Sequence, residues 1–277
     1  MKLAGLSALL LLALAHGADA GQRLRIVSLA PSLTELAYAA GAGDAIVGTV
    51  EYSDYPEAAR ALPRVGDAWS VDTEAVLALR PDLVLAWPSG TPAGMVARLR
   101  SLGVRVVEIP TFRLADVATA LRSVGHIAGT EAVAERAAQR YEAEIRDLRV
   151  SHAGVRRVGV FVEIDDEPLY TVNGRHVISE VVDLCGGSNV FADLPQLAPP
   201  VAIEAVLARD PEVILSTDDT VSDPAALWRR WSGMKAVQAG TIYSMSSDTL
   251  TRSTPRLAVG AGEVCAALDD ARRRLGK

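Results

Sequence analysis

Short apolar runs, separated by stretches of helical periodicity, set the rhythm of the chain. Strands are expected at Arg25-Ile26-Val27-Ser28-Leu29, from Ala45 to Val50, at Leu83-Val84-Leu85 and from Arg105 to Ile109. Between the first two, Ser32 and Glu35 have the S-x-x-E spacing of a capping box, opening a helix that ends at Gly41. A second helix is expected from about Pro92 to Leu102. Strands alternating with helices indicate a mostly parallel sheet covered on both faces.

One stretch occurs twice. Glu74 to Leu85 reads EAVLALRPDLVL and Glu204 to Leu215 reads EAVLARDPEVIL, with seven of the twelve positions identical. In each copy a Glu leads a short helical run, Pro81 or Pro211 stops it, and an acidic residue precedes an apolar strand. Proline biases the residue before it away from the helical region, so each copy is a helix, a stop and a buried strand. Two copies are too few for a solenoid and point instead to two lobes of like construction.

Residues 113–150 break the strand-helix alternation. A helix is expected from Ala115 to Ala128 and a longer one from Glu131 to Leu148, with Val133, Ala137, Tyr141, Ile145 and Leu148 on one stripe. With charges around that stripe and no basic face, it reads as a solvated surface helix acting as a stiff strut between the lobes. The second lobe opens with the strand Val158 to Val162. An acidic turn, Tyr170 and a helix from about Ile178 to Cys185 follow, and Gly186-Gly187 ends that helix by supplying positive φ. After the second repeat copy come a helix carrying Trp228 and Trp231, the strand Thr241-Ile242-Tyr243 and a last helix from Arg256 to Leu268. The expected fold is therefore α/β: two Rossmann-like lobes with mostly parallel sheets, joined by one long helix, with a ligand cleft between them. The lobes are placed at 21–128 and 153–277, and the linking helix at 129–152.

Composition narrows the picture in three places. Lys2, the apolar run Leu9 to Leu14 and Ala18-Asp19-Ala20 have the three parts of a secretory signal peptide, so residues 1–20 are set apart from the fold. The run is too short to span a membrane, and no Cys follows Ala20 to carry a lipid; the mature chain is expected to be soluble and outside the cytoplasm. A formal charge of -6, with no basic cluster interleaved with aromatics, excludes a nucleic-acid partner. Cys185 and Cys265 are the only cysteines. In an oxidising compartment an even pair reads first as a disulfide, here within the second lobe, with two separate buried thiols as the alternative.

Candidate chemistry favours binding over catalysis. His126, His152 and His176 are scattered, with no metal-ligand spacing, and neither a nucleophile elbow nor a phosphate-binding loop is present. Tyr52, Trp69, Trp87 and Tyr170 each lie just after a strand or beside a Pro/Gly break. The carboxyl ends of strands in open α/β sheets are where ligands bind, and clustered aromatics suit a broad, mostly apolar ligand. Each of them singly also fits ordinary packing. Asp248 and Arg252 could add polar contacts from the second lobe, or form a plain surface ion pair.

The phrases RIVSLAPSLTELAYAAG, EYSDYP, LRPDLVLAW, VVDLCGGSNVF and SSDTLTRSTPR, spread over residues 24–270, resemble the periplasmic substrate-binding proteins of cobalamin ABC importers. The first and third are shared with a wider group that binds siderophores and haem. The resemblance implies two α/β lobes on one long helix, with the ligand held between them and little closing motion. It implies that Tyr52, Trp69 and Trp87 are first-lobe contacts to a corrinoid, that Tyr170 stands where the family has an aromatic, and that Asp248 and Arg252 match its polar second-lobe motif. Glu74 and Glu204 would then dock on an ABC permease dimer carrying its ATPase subunits. They also suit the first turn of a helix, where a carboxylate favours the macrodipole by about 0.3–1 kcal/mol. Neither catalysis nor a cofactor is expected: the protein would be monomeric, with cobalamin its cargo and no protein ligand to cobalt. One departure stands out. Cobalamin binders of the family can carry a Trp shortly before the second docking Glu, where this chain reads Leu197-Ala198-Pro199-Pro200. The rival ligands are haem and a ferric siderophore. Haem binders resembling this chain place an iron-ligating Tyr after Pro-x-Val-Gly, where Asp67 follows Gly66 here. A siderophore would want more cationic residues than Arg252 in the cleft. The remote rival, a metal-assisted hydrolase, needs a ligand cluster that the sequence lacks.

Overall fold

The computed structural model describes residues 23–67, 70–217 and 223–276. The segment read as a signal peptide and Trp69 lie outside them. The first lobe contains β1 (Ile26–Ser28), α1 (Pro31–Ala39), β2 (Ile46–Gly48), α2 (Thr73–Ala78), β3 (Leu83–Ala86), α3 (Ala93–Ser101) and β4 (Val106–Glu108). Two helices, α4 (Leu114–Ala128) and α5 (Glu131–Ser151), lead to the second lobe. That lobe contains β5 (Val158–Glu163), the small hairpin β6 (Asp165–Asp166) and β7 (Leu169–Tyr170), α6 (Val177–Leu184), β8 (Gly187–Asn189), α7 (Ile203–Arg209) and β9 (Val213–Ser216). It ends with α8 (Lys235–Ala239), β10 (Ile242–Ser244), α9 (Ser247–Leu250) and α10 (Leu257–Leu275).

The two sheets, ordered β2-β1-β3-β4 and β10-β9-β5-β8, are parallel throughout. Read from β8, the second repeats the first: its opening strand lies between the next strand on one side and the repeat-copy strand on the other. The duplicated stretch therefore fills the same place in each sheet. β3 pairs β1 at Val27↔Val84, and β9 pairs β5 at Phe161↔Ile214. The proline stop also recurs in the backbone. Arg80 (φ 43°) and Asp210 (φ 41°), the residues before the two prolines, both turn left-handed, a conformation that costs a non-glycine residue energy.

Alternation along the strands divides the core. Ile26, Leu83 and Leu85 face α1 and α4, whereas Val27 and Val84 face Val76 of α2 and Leu99 of α3. In the second sheet Val160, Val162 and Leu215 face α6 and α10, and Phe161 and Ile214 pack on Phe191, Val206 and Trp228. The inner faces of both sheets meet one shared helical layer, so a single apolar cluster runs from Ile26 to Ala271. α5 belongs to that layer. Its buried stripe is Ala134, Ala138, Tyr141 and Ile145, and the Tyr141 hydroxyl donates to the Leu114 carbonyl at 3.0 Å. It crosses α4 closely at Gly125, where a Cβ would fall 2.2 Å from that of Ala134.

Four local expectations are corrected. The long helix is half-buried, and Val133 lies on its rim at 39% exposure because the stripe is turned by one residue. α1 has no capping box: Ala30 is its N-cap, without a side-chain cap, and Pro31 supplies the preset first turn. Residues 224–230 form successive turns in place of a helix. Burial of Trp228 accounts for that, with its ring edge-on to Phe161 at 5.7 Å and its indole N–H donating to Glu163 Oε2 at 2.7 Å. The last helix runs on to Leu275.

Candidate ligand cleft and docking surface

The carboxyl ends of β2 and β3 lead to Tyr52 and Trp87, those of β5 and β10 to Tyr170 and to Asp248 with Arg252. Parallel strands place each set on one sheet edge, and an ion pair joins the two edges. Arg252 donates from Nη1 to Asp54 Oδ1 of the first lobe at 2.8 Å, and its Nη2 forms an ion pair with Asp248 Oδ1 of its own lobe at 2.8 Å. The Asp248–Arg252 motif is thus more than a surface pair. Arg252 is 17% exposed and the two carboxylates 43% each. Burial would raise the Asp54 carboxyl, but the hydrogen bond and charge of Arg252 outweigh it and hold the group below the ordinary range.

Tyr52 is 78% exposed with φ 62°, a left-handed conformation unfavourable for an aromatic residue. Its neighbours fix it there. The Glu51 N–H donates to the Gly66 carbonyl at 2.8 Å. Ser53 joins a buried hydroxyl cluster with Thr49 (2.8 Å) and, through it, Thr34 (2.6 Å). Trp87 is half-buried. Its ring lies against Gly90, where a Cβ would come within 2.2 Å, and its indole N–H is buried without a partner among the described residues. Tyr170 is half-buried on β7. The segment that lacks the family's Trp runs alongside it: Thr171 N–H donates to the Pro199 carbonyl at 3.1 Å and Asn173 N–H to that of Leu197 at 2.9 Å. Leu197 is 41% exposed there.

Sequence reasoning missed the residues that tie the lobes. Glu35 of α1 is buried, and both its oxygens accept from Arg256, at 2.8 and 2.7 Å; Thr254 donates to it at 2.6 Å. The Arg256 guanidinium also lies 4.0 Å from the centre of the Tyr55 ring. All of these residues sit inside quoted phrases, but their partners lie 219 and 221 positions away.

Glu74 and Glu204 are exposed, each in the first turn of its helix, α2 and α7. Neither carboxylate has a partner among the described residues. Their helices start differently: Asp72 caps α2 by accepting from the Glu74 and Ala75 N–H groups, while Ala202 gives α7 no side-chain cap. The histidines are not brought together. His126 is exposed and His152 contacts Asp269 at 3.3 Å. His176 caps α6, with burial pushing its pKa down to about 4. Among the described residues no group of three His, Cys, Asp or Glu could hold a metal ion, and no helix is long and apolar enough to cross a membrane. Cys185 and Cys265 form a disulfide joining the end of α6 to α10. Asp67, the residue after Gly66, closes a turn: its Oδ1 accepts the Ser70 N–H at 2.6 Å.

This two-lobed architecture is that of a solute-capturing receptor, and the chain belongs to the periplasmic binding protein family, which matches residues 26–249. Its relatives include the vitamin B12-binding protein of Vibrio cholerae serotype O1, 37% identical over 251 residues, covering 90% of this chain and 91% of the relative. The crystal structure of the periplasmic vitamin B12 binding protein BtuF of Vibrio cholerae superimposes with a TM-score of 0.85 at 37% identity, over 90% of this chain and 97% of that one. A more distant likeness, TM-score 0.81 at 25% identity over 90% and 99% of the two chains, is to the periplasmic heme-binding protein RhuT from Roseiflexus sp. RS-1. The expected fold class agrees with these likenesses.

Proposed function

We propose that the protein captures cobalamin, or a related corrinoid, between its lobes in the periplasm and delivers it to an ABC permease, without chemical conversion. The observation that carries this reading is likeness along the whole chain: 37% identity and a TM-score of 0.85 to a vitamin B12-binding protein, against 25% and 0.81 to a heme-binding one. The turn closed by Asp67, where the haem binders place their Tyr, points the same way. Tyr52, Trp69, Trp87 and Tyr170 are the proposed apolar contacts, and Asp248 and Arg252 the polar ones. Residues 21–128 and 153–277 form the lobes and 129–152 the link, in a monomer that acts as a carrier.

Calorimetric titration of cyanocobalamin into the mature, ligand-stripped protein tests the reading. One-site binding in the nanomolar to low-micromolar range is expected. Trp87→Ala, which removes a large ring from the cleft edge, should weaken it by about 2 kcal/mol, roughly 30-fold in Kd. Absence of heat with the unaltered protein would overturn the cobalamin assignment and bring haem and cobinamide into the cell next.

Glu74 and Glu204 are the proposed docking carboxylates, one per lobe, meeting equivalent basic groups on a two-fold permease. Glu74→Ala and Glu204→Ala should each slow cobalamin uptake in cells and leave the calorimetric Kd unchanged. Uptake at the original rate in the double variant would remove the docking role.

A further inference from the structure

A set of side-chain contacts joins the first lobe to the segment before α10 of the second. Glu35, Asp54 and Tyr55 come from the first lobe, and all three are engaged by the short stretch Arg252–Arg256 of the second. We infer that this cross-lobe clasp fixes the aperture of the cleft, and that Asp54 is a positioning residue for ligand capture, acting through Arg252. The first half of the inference concerns the free protein; the second rests on the function proposed above.

The two rungs divide the work. Glu35 is 3% exposed and uses both oxygens on Arg256 and one on Thr254, so opening the lobes there would strand a carboxylate in apolar surroundings. That rung holds the lobes together. The Asp54 rung is half exposed and contributes little to stability. Its consequence is orientation. With Nη1 hydrogen-bonded to Asp54 and Nη2 paired with Asp248, the Arg252 guanidinium is held between carboxylates of the two lobes, and its Nε–H has no partner among the described residues. A fixed donor beside a cleft suits the carboxamide and phosphate oxygens at the rim of a corrinoid, because the side chain is ordered before the ligand arrives. Asp54 also lies two positions after Tyr52, so the same contact steadies the loop that presents that ring.

Two measurements test the clasp. Spin labels at Glu74→Cys and Glu204→Cys, one exposed site on each lobe, report lobe separation by pulsed dipolar spectroscopy. The unaltered clasp should give one narrow distance, the same with and without cyanocobalamin, and Glu35→Gln should broaden it. In titrations, Asp54→Ala should weaken cyanocobalamin binding about five- to tenfold, and Asp54→Asn, which keeps an acceptor, should recover part of the loss. The double variant Asp54→Ala/Arg252→Ala should bind no more weakly than Arg252→Ala alone, the signature of one residue acting through the other. Unchanged affinity in Asp54→Ala, or losses that simply add, would overturn the positioning role. A narrow, unshifted distance in Glu35→Gln would overturn the fixed aperture. If the unaltered protein takes up no cyanocobalamin, the functional reading fails while the label distances still decide the clasp.

Discussion

Arg256→Ala is expected to destabilise the protein by about 3–5 kcal/mol at neutral pH, the range for removing one partner of a buried ion pair. The loss comes from what remains. Glu35, 3% exposed, would keep only the Thr254 hydroxyl, and the Tyr55 ring would lose the cation stacked 4.0 Å away. Urea unfolding at pH 7 reads the loss, and Glu35→Gln in the Arg256→Ala background, which removes the unpaired buried charge, should recover part of it. A midpoint at pH 7 close to that of the unaltered protein would show that the buried rung contributes nothing.

Removing the disulfide should cost a comparable amount. Cys185 and Cys265 lie 80 positions apart, and on the chain-entropy model closing a loop of that length stabilises by about 4.5 kcal/mol, an upper figure. The loop contains β8, α7, β9, α8, β10 and α9, so the bridge restricts the C-terminal part of the second lobe in the unfolded chain and leaves β5 to α6 outside it. Both sulfurs are buried in the shared helical layer, where alanine leaves small gaps. Cys185→Ala/Cys265→Ala should therefore fold and melt well below the unaltered protein, by calorimetry under oxidising conditions. Equal melting temperatures would show that the cross-link adds nothing.

How much of this could be read from the residues depended on the range of the interaction concerned. The repeat at Glu74 and Glu204 was legible because its helix, proline and strand are neighbours in sequence, and it led to two sheets of the same order. The Cys pair was legible by count and compartment. Glu35 was misread as half of a capping box because a local spacing matched, while its partner Arg256 lies 221 positions on and leaves no local mark. Trp228 sits in a run with helical propensity, yet the requirement to bury its ring against Phe161 and reach Glu163 breaks the run into turns. Tyr52 and Trp87 were marked out as aromatics beyond strand ends. Their backbone strain and unpaired indole could only come from three dimensions.

The sheets also impose an order on folding. Every strand of the first sheet lies between Ile26 and Glu108, so that sheet can be assembled early as the chain emerges N-terminus first. The second waits for Ser244, and the ties at Thr254 and Arg256 come later still, just before α10, which packs into the layer common to both halves. Parallel pairing offers no hairpin to seed it, and such distant contacts form slowly. In that order of emergence the first half can close before the second, whose inner helical face is covered only when the final segment arrives. Late truncations should act on yield and aggregation before they act on affinity.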